Sequence, residues 1–403
     1  MFHKNIKQQD IKMEIQIEHK QYIKTLFAEM QTKEDFLFLL NEMNLILYGD
    51  DAKPIPLKQI SYFANPEISL NRYRTFRINK KTGGERIINA PNGGLKHILK
   101  TLNAIFQIIG IPHHSAYGFV EGKSIVDNAR LHTNKHYVYN LDLKDFFHSF
   151  DRNRVKLGFM YPPFNLAGDK EPLAFIIASL CTHPFLIREE TKIVLPQGSP
   201  VSPTLTNLLC IKLDRRLNGL AKHFNTKYSR YADDITFSAQ VNSFKNEAFQ
   251  TELNRIIKDL NFEINPKKTR LLKSDFKQEV TGLTVNEKVN VKVKYVKQLR
   301  SWLYLWERYG YNHAEILFKK DYFSEKGHVK NPNPNFENVV GGKLEYLKMV
   351  KGINNSTYLK FKKRFDTLLK KNNPENSFLN SILKTWETEG IDSAMDLFNK
   401  KES

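Results

Sequence analysis

Tyr231-Ala232-Asp233-Asp234 constrains this chain more than any other stretch of it. Two adjacent carboxylates sit between short strand-like runs, Lys227-Tyr228-Ser229-Arg230 before them and Ile235-Thr236-Phe237-Ser238 after. Aspartate is favoured in hairpin turns for local backbone reasons, so the tetrapeptide alone also suits an ordinary polar turn. A third acid changes that. Asp142 closes the run Tyr137-Val138-Tyr139-Asn140-Leu141, whose alternation reads as a strand ending in the acid. Adjacent acids on a tight hairpin, facing an acid on a neighbouring strand, concentrate negative charge that needs a positive partner. Hard carboxylate oxygens suit magnesium or manganese, and two such ions clamp a phosphoryl transfer. The expected centre is therefore Asp142, Asp233 and Asp234 around two Mg2+ ions, with Mn2+ as the alternative.

Between the acids, Val194-Leu195-Pro196-Gln197-Gly198-Ser199-Pro200-Val201-Ser202-Pro203 is a turn-rich segment running into an apolar helix, Thr204 to Asp214. Its prolines end the preceding strand and set the helix start. At this point the chain resembles the reverse transcriptases. Asp142 stands in their first palm motif, Leu195 to Gly198 in the template and nucleotide loop, and Tyr231 to Asp234 in the catalytic hairpin. The resemblance implies an α+β right-hand polymerase of fingers, palm and thumb, with an antiparallel palm sheet. Phe76 to Pro91 reads as two short strands around Gly83-Gly84 and looks like the fingers hairpin, which gives Lys80 and Arg86 the incoming triphosphate to hold. Gln197 joins them as a nucleotide-binding residue on the same basis. Asn261 to Thr269 resembles the motif whose lysine protonates the pyrophosphate leaving group; Lys268 is the chosen residue and Lys267 nearly as good. Phe147, five residues after Asp142, takes the family's aromatic gate that excludes a 2′-hydroxyl. Phe146 is then the core residue, because strand side chains alternate faces.

Two further strings resemble the bacterial retron lineage. Asn128-Ala129-Arg130-Leu131-His132 matches its Asn-Ala-x-x-His insertion, and Val280-Thr281-Gly282 matches the turn credited with recognising the partner RNA. Asn128, His132, Val280, Thr281 and Gly282 are accordingly expected to bind RNA, although a histidine so placed also reads as a satisfied structural one. The retron resemblance implies a structured non-coding RNA as both template and primer, deoxynucleotide substrates and a cDNA product. It also implies priming from a guanosine 2′-hydroxyl and anti-phage defence beside an effector or toxin protein. The alternatives are a defence-associated reverse transcriptase without branched priming, a group II intron relative, and a palm-fold RNA-binding scaffold without catalysis. Three retained acids speak against the scaffold.

Composition agrees independently. A formal net charge of +19 suits a protein that grips phosphate backbones. The two cysteines, Cys181 and Cys210, lie in apolar helical stretches and read as buried free thiols of a reducing cytoplasm. No apolar run is long enough to span a bilayer, so no membrane partner is expected. The expected organisation is a helical N-terminal extension over 1–65, fingers and palm over 66–285, a thumb over 286–355 and a helical C-terminal extension over 356–403. Within it, Phe36 to Leu40 reads as a packing stripe, Ile98 to Ile109 as a helix, and Val155 to Ile187 as helical with a break at Tyr161-Pro162-Pro163. Trp302 and Trp306, four residues apart, share one face of a thumb helix. The stretch after 355 is too short for an RNase H domain.

Overall fold

The computed structural model describes residues 15–79, 83–187, 189–325, 333–372 and, with gaps, 382–399. The chain separates into two compact units, one made of 1–78 and 85–281, the other of 79–84 and 282–403.

The first unit begins with helices α1 (Ile17–Glu29), α2 (Lys33–Tyr48) and α3 (Leu57–Ala64). α2 starts in a capping box, in which the Thr32 hydroxyl accepts from the Asp35 amide and the Asp35 carboxylate accepts from the Thr32 amide. Phe36, Leu39, Leu40 and Met43 then recur at helical spacing and are buried, so the stripe is core. Strands β1 (Tyr73–Asn79) and β2 (Glu85–Pro91) pair with each other and lead into α4 (Gly93–Ile109). α4 starts five residues before the expected Ile98. The Asn92 side chain accepts the Leu95 amide and caps it, so Gly93-Gly94 belongs to the first turn rather than to a loop.

Next come α5 (Ile125–Arg130), β3 (Tyr137–Asp142), α6 (Arg152–Met160) and α7 (Glu171–Cys181). The expected helix does not continue to Ile187. Thr182 turns extended, and residues His183–Ile187 form β4, paired antiparallel with β5 (Glu190–Val194). Pro184 explains the change, since it has no amide to donate to a helix. The helix expected over Thr204–Asp214 is two, α8 (Ser202–Leu209) and α9 (Ile211–His223), parted at Cys210. β6 (Lys227–Tyr231), β7 (Asp234–Ala239), α10 (Glu247–Asp259), β8 (Arg270–Lys273) and β9 (Glu279–Val280) complete the unit.

β6, β7, β3 and β8 form, in that order, a four-stranded antiparallel sheet. α10 presents Phe249, Leu253, Ile256 and Ile257 from one face, and the Phe249 ring meets Phe237 of β7 edge-on at 5.4 Å. This core pins the strand register, because a one-residue slip would turn Ile235 and Phe237 out of it.

The second unit holds β10 (Leu283–Thr284) and helices α11 (Val293–Tyr309), α12 (Tyr311–Ser324), α13 (Phe336–Lys351), α14 (Ser356–Asn372) and α15 (Ile391–Asn399). Trp302 and Trp306 of α11 both pack on Phe336, with centroids 6.3 and 5.3 Å apart, and are its core. Trp302 also donates its indole N–H to Asp321, at 2.9 Å. Both cysteines are buried and free, and no described helix is long and apolar enough to cross a membrane.

Candidate active site

Register brings the acids together. β3 and β7 run antiparallel with Asp142 opposite Asp234, and β6 and β7 are joined by a two-residue turn closed by the pair Tyr231 and Asp234. Ala232 and Asp233 form the turn. Ala232 alone of the two has positive φ, at 57°, an uncommon place for a residue with a Cβ. The Leu143 amide, just past β3, donates to the Asp233 carbonyl at 3.0 Å and ties the turn to the strand that carries Asp142. Gly118 closes the other side. A Cβ there would lie 2.7 Å from the Ala232 nitrogen, so only glycine lets the segment Ser115–Phe119 approach.

Asp142 is buried and accepts from Lys268 Nζ at 2.5 Å and Asn265 Nδ2 at 3.2 Å. The Asn265 amide also donates to the Asp142 carbonyl, at 2.8 Å. Its side-chain oxygen accepts the Lys267 amide, a local turn that aims Lys268 at the acids. Of the two lysines left open by the sequence, Lys268 is therefore the one whose ammonium reaches them. Burial works against that ammonium, but the hydrogen bond to Asp142 and the charges of Asp142, Asp233 and Asp234 outweigh it, so Lys268 holds its proton more tightly than a free lysine. Desolvation raises the Asp233 carboxyl, helped by Asp142 and opposed by Lys268 and Arg86. Asp234 keeps contact with solvent although protein crowds it on most sides. Desolvation, then the charges of Asp233 and Asp142, push it up to about 7 against the pull of Lys268.

A pocket of hard oxygens whose own repulsion drives them towards neutrality fits a divalent cation in donor chemistry. Among the described residues no three His, Cys, Asp or Glu side chains already stand as a closed ligand group. Lys268 offsets part of the charge on all three acids, and Arg86 part of that on Asp233.

The other expected residues fall in several places. Arg86, on β2, is exposed and close enough for its charge to lower the Asp233 carboxyl. Lys80 lies outside the described residues. The Gln197 carbonyl accepts the Asn89 amide at 2.8 Å, and Gly198, at φ 118°, has room for no Cβ against Asn89. That contact docks the loop on β2, the strand of Arg86. Phe147 is half-buried and Phe146 buried, but alternation of strand faces is not the reason. Both lie in a single 3-10 turn, Phe146–Ser149, entered through Asp145 at φ 46°.

His132 is fully buried. Its Nδ1 lies 2.8 Å from the Ser238 hydroxyl and its Nε2 2.7 Å from that of Ser229, so it braces β7 and β6 from beneath. Burial, with Lys135 nearby, pushes the imidazole down to about 3 and keeps it neutral. Asn128 is buried on α5, and its Oδ1 has no donor among the described residues. Val280 is buried, Thr281 has φ 46° with its hydroxyl on the Ile125 carbonyl at 3.3 Å, and Gly282 has φ 83°. Here neither Asn128 nor His132 presents an edge to RNA. The α5 segment and the Val280–Thr281 turn meet through Thr281 and Ile125, a proximity that the two sequence strings do not reveal.

Sequence reasoning passed over Asn265, Gly118, Asp214 and Arg230. Asp214 and Arg230 are fully buried and joined by two hydrogen bonds, Nε to Oδ1 at 2.8 Å and Nη2 to Oδ2 at 2.7 Å. The sequence offered little signal for the pair, since Arg230 is one of two cations in the short strand Lys227–Tyr231.

Comparison with known proteins accords with this geometry. The profile of the reverse transcriptase (RNA-dependent DNA polymerase) family matches residues 78–296, more than half of the chain and all three acids. The chain belongs to that family. Several curated relatives are retron reverse transcriptases. The Retron Mx65 reverse transcriptase of Myxococcus xanthus is 34% identical over 255 residues, 59% of this chain and 57% of that protein. The Retron Ec86 reverse transcriptase of Escherichia coli is 33% identical over 236 residues, 57% of this chain and 68% of that protein. The chain spans about half the length of the Myxococcus relatives it matches.

Proposed function

We propose that this protein is an RNA-directed DNA polymerase of the retron type, copying a structured non-coding RNA that also primes synthesis. The observation that carries the reading is Asp142 standing opposite Asp234 and beside the Asp233 turn, inside the stretch that matches the family. In this reading the four-stranded sheet is the palm, β1 and β2 with their connection are the fingers hairpin, and α11 to α13 are the thumb. The division into 1–65, 66–285, 286–355 and 356–403 belongs to the same proposal.

Asp142, Asp233 and Asp234 would hold divalent ions, Mg2+ in the first instance. When bound, the metal supplies positive charge where negative charge builds up on the transferring phosphate. Arg86 and Lys80 hold the triphosphate of a deoxynucleotide, and Gln197 lies alongside on the loop docked to β2. Phe147, half-buried in the turn that follows β3, would meet the sugar of the incoming nucleotide and refuse a 2′-hydroxyl. Lys268 stays protonated because the acids hold its charge, and it gives that proton to the leaving pyrophosphate. The net positive charge of the chain grips phosphate backbones along the RNA and the growing cDNA. Service in phage defence beside an effector or toxin protein follows from the retron relationship and completes the proposal.

Sequencing the nucleic acid that co-purifies with the protein tests the reading. A branched RNA–DNA molecule is expected; unbranched cDNA would move the chain to another branch of the family. Asp233→Asn should lower DNA synthesis by at least ~10³-fold while leaving RNA binding close to wild type, since a preorganised charge at the reacting phosphate is lost while backbone contacts are spread widely. Primer extension by the purified variant at the wild-type rate would remove Asp233 from the site.

A further inference from the structure

The turn that displays Asp233 is held from within. Arg230, the last interior residue of β6, is fully buried and its guanidinium faces two ways. Nε and Nη2 grip both oxygens of Asp214 on α9, and Nη1 donates to the Ala232 carbonyl at 3.1 Å. Asp214 is oriented in turn by the Tyr228 hydroxyl, at 2.7 Å. The Ala232 carbonyl belongs to the peptide that leads into Asp233, and Ala232 has the left-handed φ that non-glycine residues avoid. The next carbonyl, that of Asp233, is held by the Leu143 amide. A second tie comes from α8, where Asn207 Nδ2 donates to the Gly118 carbonyl at 2.7 Å, and Gly118 lies against the Ala232 nitrogen. The two helices that follow the Gln197 loop thus reach the turn by two routes. A buried arginine whose only duty was stability could be replaced by packed apolar groups without loss. This one spends a donor on the single strained peptide beside the acid.

We propose that Arg230, locked by Asp214, is a positioning residue that sets the direction of the Asp233 carboxylate by holding the Ala232 carbonyl. The proposal deepens the polymerase reading and rests on it. Lysine at this place keeps the charge but cannot engage both Asp214 oxygens and the carbonyl together.

The test uses the full-length protein in three forms: wild type, Arg230→Lys, and the double variant Arg230→Met with Asp214→Leu, which replaces the buried pair by apolar side chains. Three quantities are read: the thermal midpoint, Mn2+ binding without nucleotide followed by the paramagnetic signal of the free ion, and single-nucleotide extension of an annealed DNA primer on an RNA template. The double variant is expected to melt near wild type, to bind Mn2+ at least about 5-fold more weakly, and to extend at least about 10-fold more slowly per folded molecule. Arg230→Lys should fall between. A well-folded double variant with wild-type Mn2+ affinity and extension overturns the proposal and leaves the pair a stabilising one. If the double variant does not fold, Arg230→Lys decides alone: unchanged Mn2+ affinity per folded molecule overturns the proposal. Failure of the wild type itself to extend a primer would count against the polymerase reading, whereas the Mn2+ comparison would still judge the positioning claim.

Discussion

Replacing His132 by glutamine should remove a pH dependence that the wild-type fold carries. The imidazole is neutral, fully buried and bonded to Ser229 and Ser238, and its folded pKa lies near 3 against 6.5 for a free histidine. Well above pH 6.5 it is neutral in both states and contributes no pH dependence. Below that, the unfolded chain takes up a proton that the native state refuses until about pH 3, so stability falls as the pH falls across this window. Between pH 7 and pH 5 the loss from this one group is about 2 kcal/mol, a large share of a typical folding free energy of about 5–15 kcal/mol. Glutamine can still reach a serine but does not titrate. Urea unfolding followed by far-ultraviolet circular dichroism at the two pH values, on both proteins, isolates the difference. Downward-shifted His148 and His183 contribute to both proteins and cancel in the subtraction. The variant should be less stable than wild type at pH 7 but should lose about 2 kcal/mol less on going to pH 5. Parallel losses would refute the reasoning and return His132 to an accessible position where it could meet RNA directly.

Three further outcomes are expected. Gly118→Ala, whose Cβ would sit 2.7 Å from the Ala232 nitrogen, should displace the acid turn and slow extension at least about 10-fold for a stability loss of about 1–3 kcal/mol; a wild-type extension rate would mean that the turn tolerates the push. Phe147→Ala should admit ribonucleotides in single-nucleotide incorporation, whereas Phe146→Ala, removing a buried ring, should instead lower stability by about 3–5 kcal/mol; unchanged sugar selectivity in the first would end the gate assignment. Chelation of divalent ions should abolish extension, and Mg2+ or Mn2+ should restore it, with RNA binding measured by filter retention persisting throughout; extension that survives chelation would exclude these ions from the reaction.

The acids themselves were legible in the chain, because their chemistry is written in residue type and order. A strand ending in Asp142 and a hairpin holding Asp233 and Asp234 can be read from alternation and turn preference, which act over a few residues. The same holds for the stripe of α2 and the paired tryptophans of α11, whose helical spacing survives into the core. Some element ends were missed although their causes are local: Asn92 caps α4 three residues ahead of Leu95, and Pro184 ends helix where His183–Ile187 forms a strand paired with β5, while α8 and α9 part at Cys210. The sequence preferred Lys268 with Lys267 nearly as good, and the fold adds an Asn265 turn beside a Lys268 ammonium bonded to Asp142. Folding also took His132 inside, where two serines from different strands satisfy it. Arg230 and Asp214 met in the same way, across a separation no spacing rule spans. Sequence pattern carries what neighbours along the chain impose. Which buried polar group finds which partner depends on groups brought together only when the sheet and helices close around them, and at this site those pairings aim the acids.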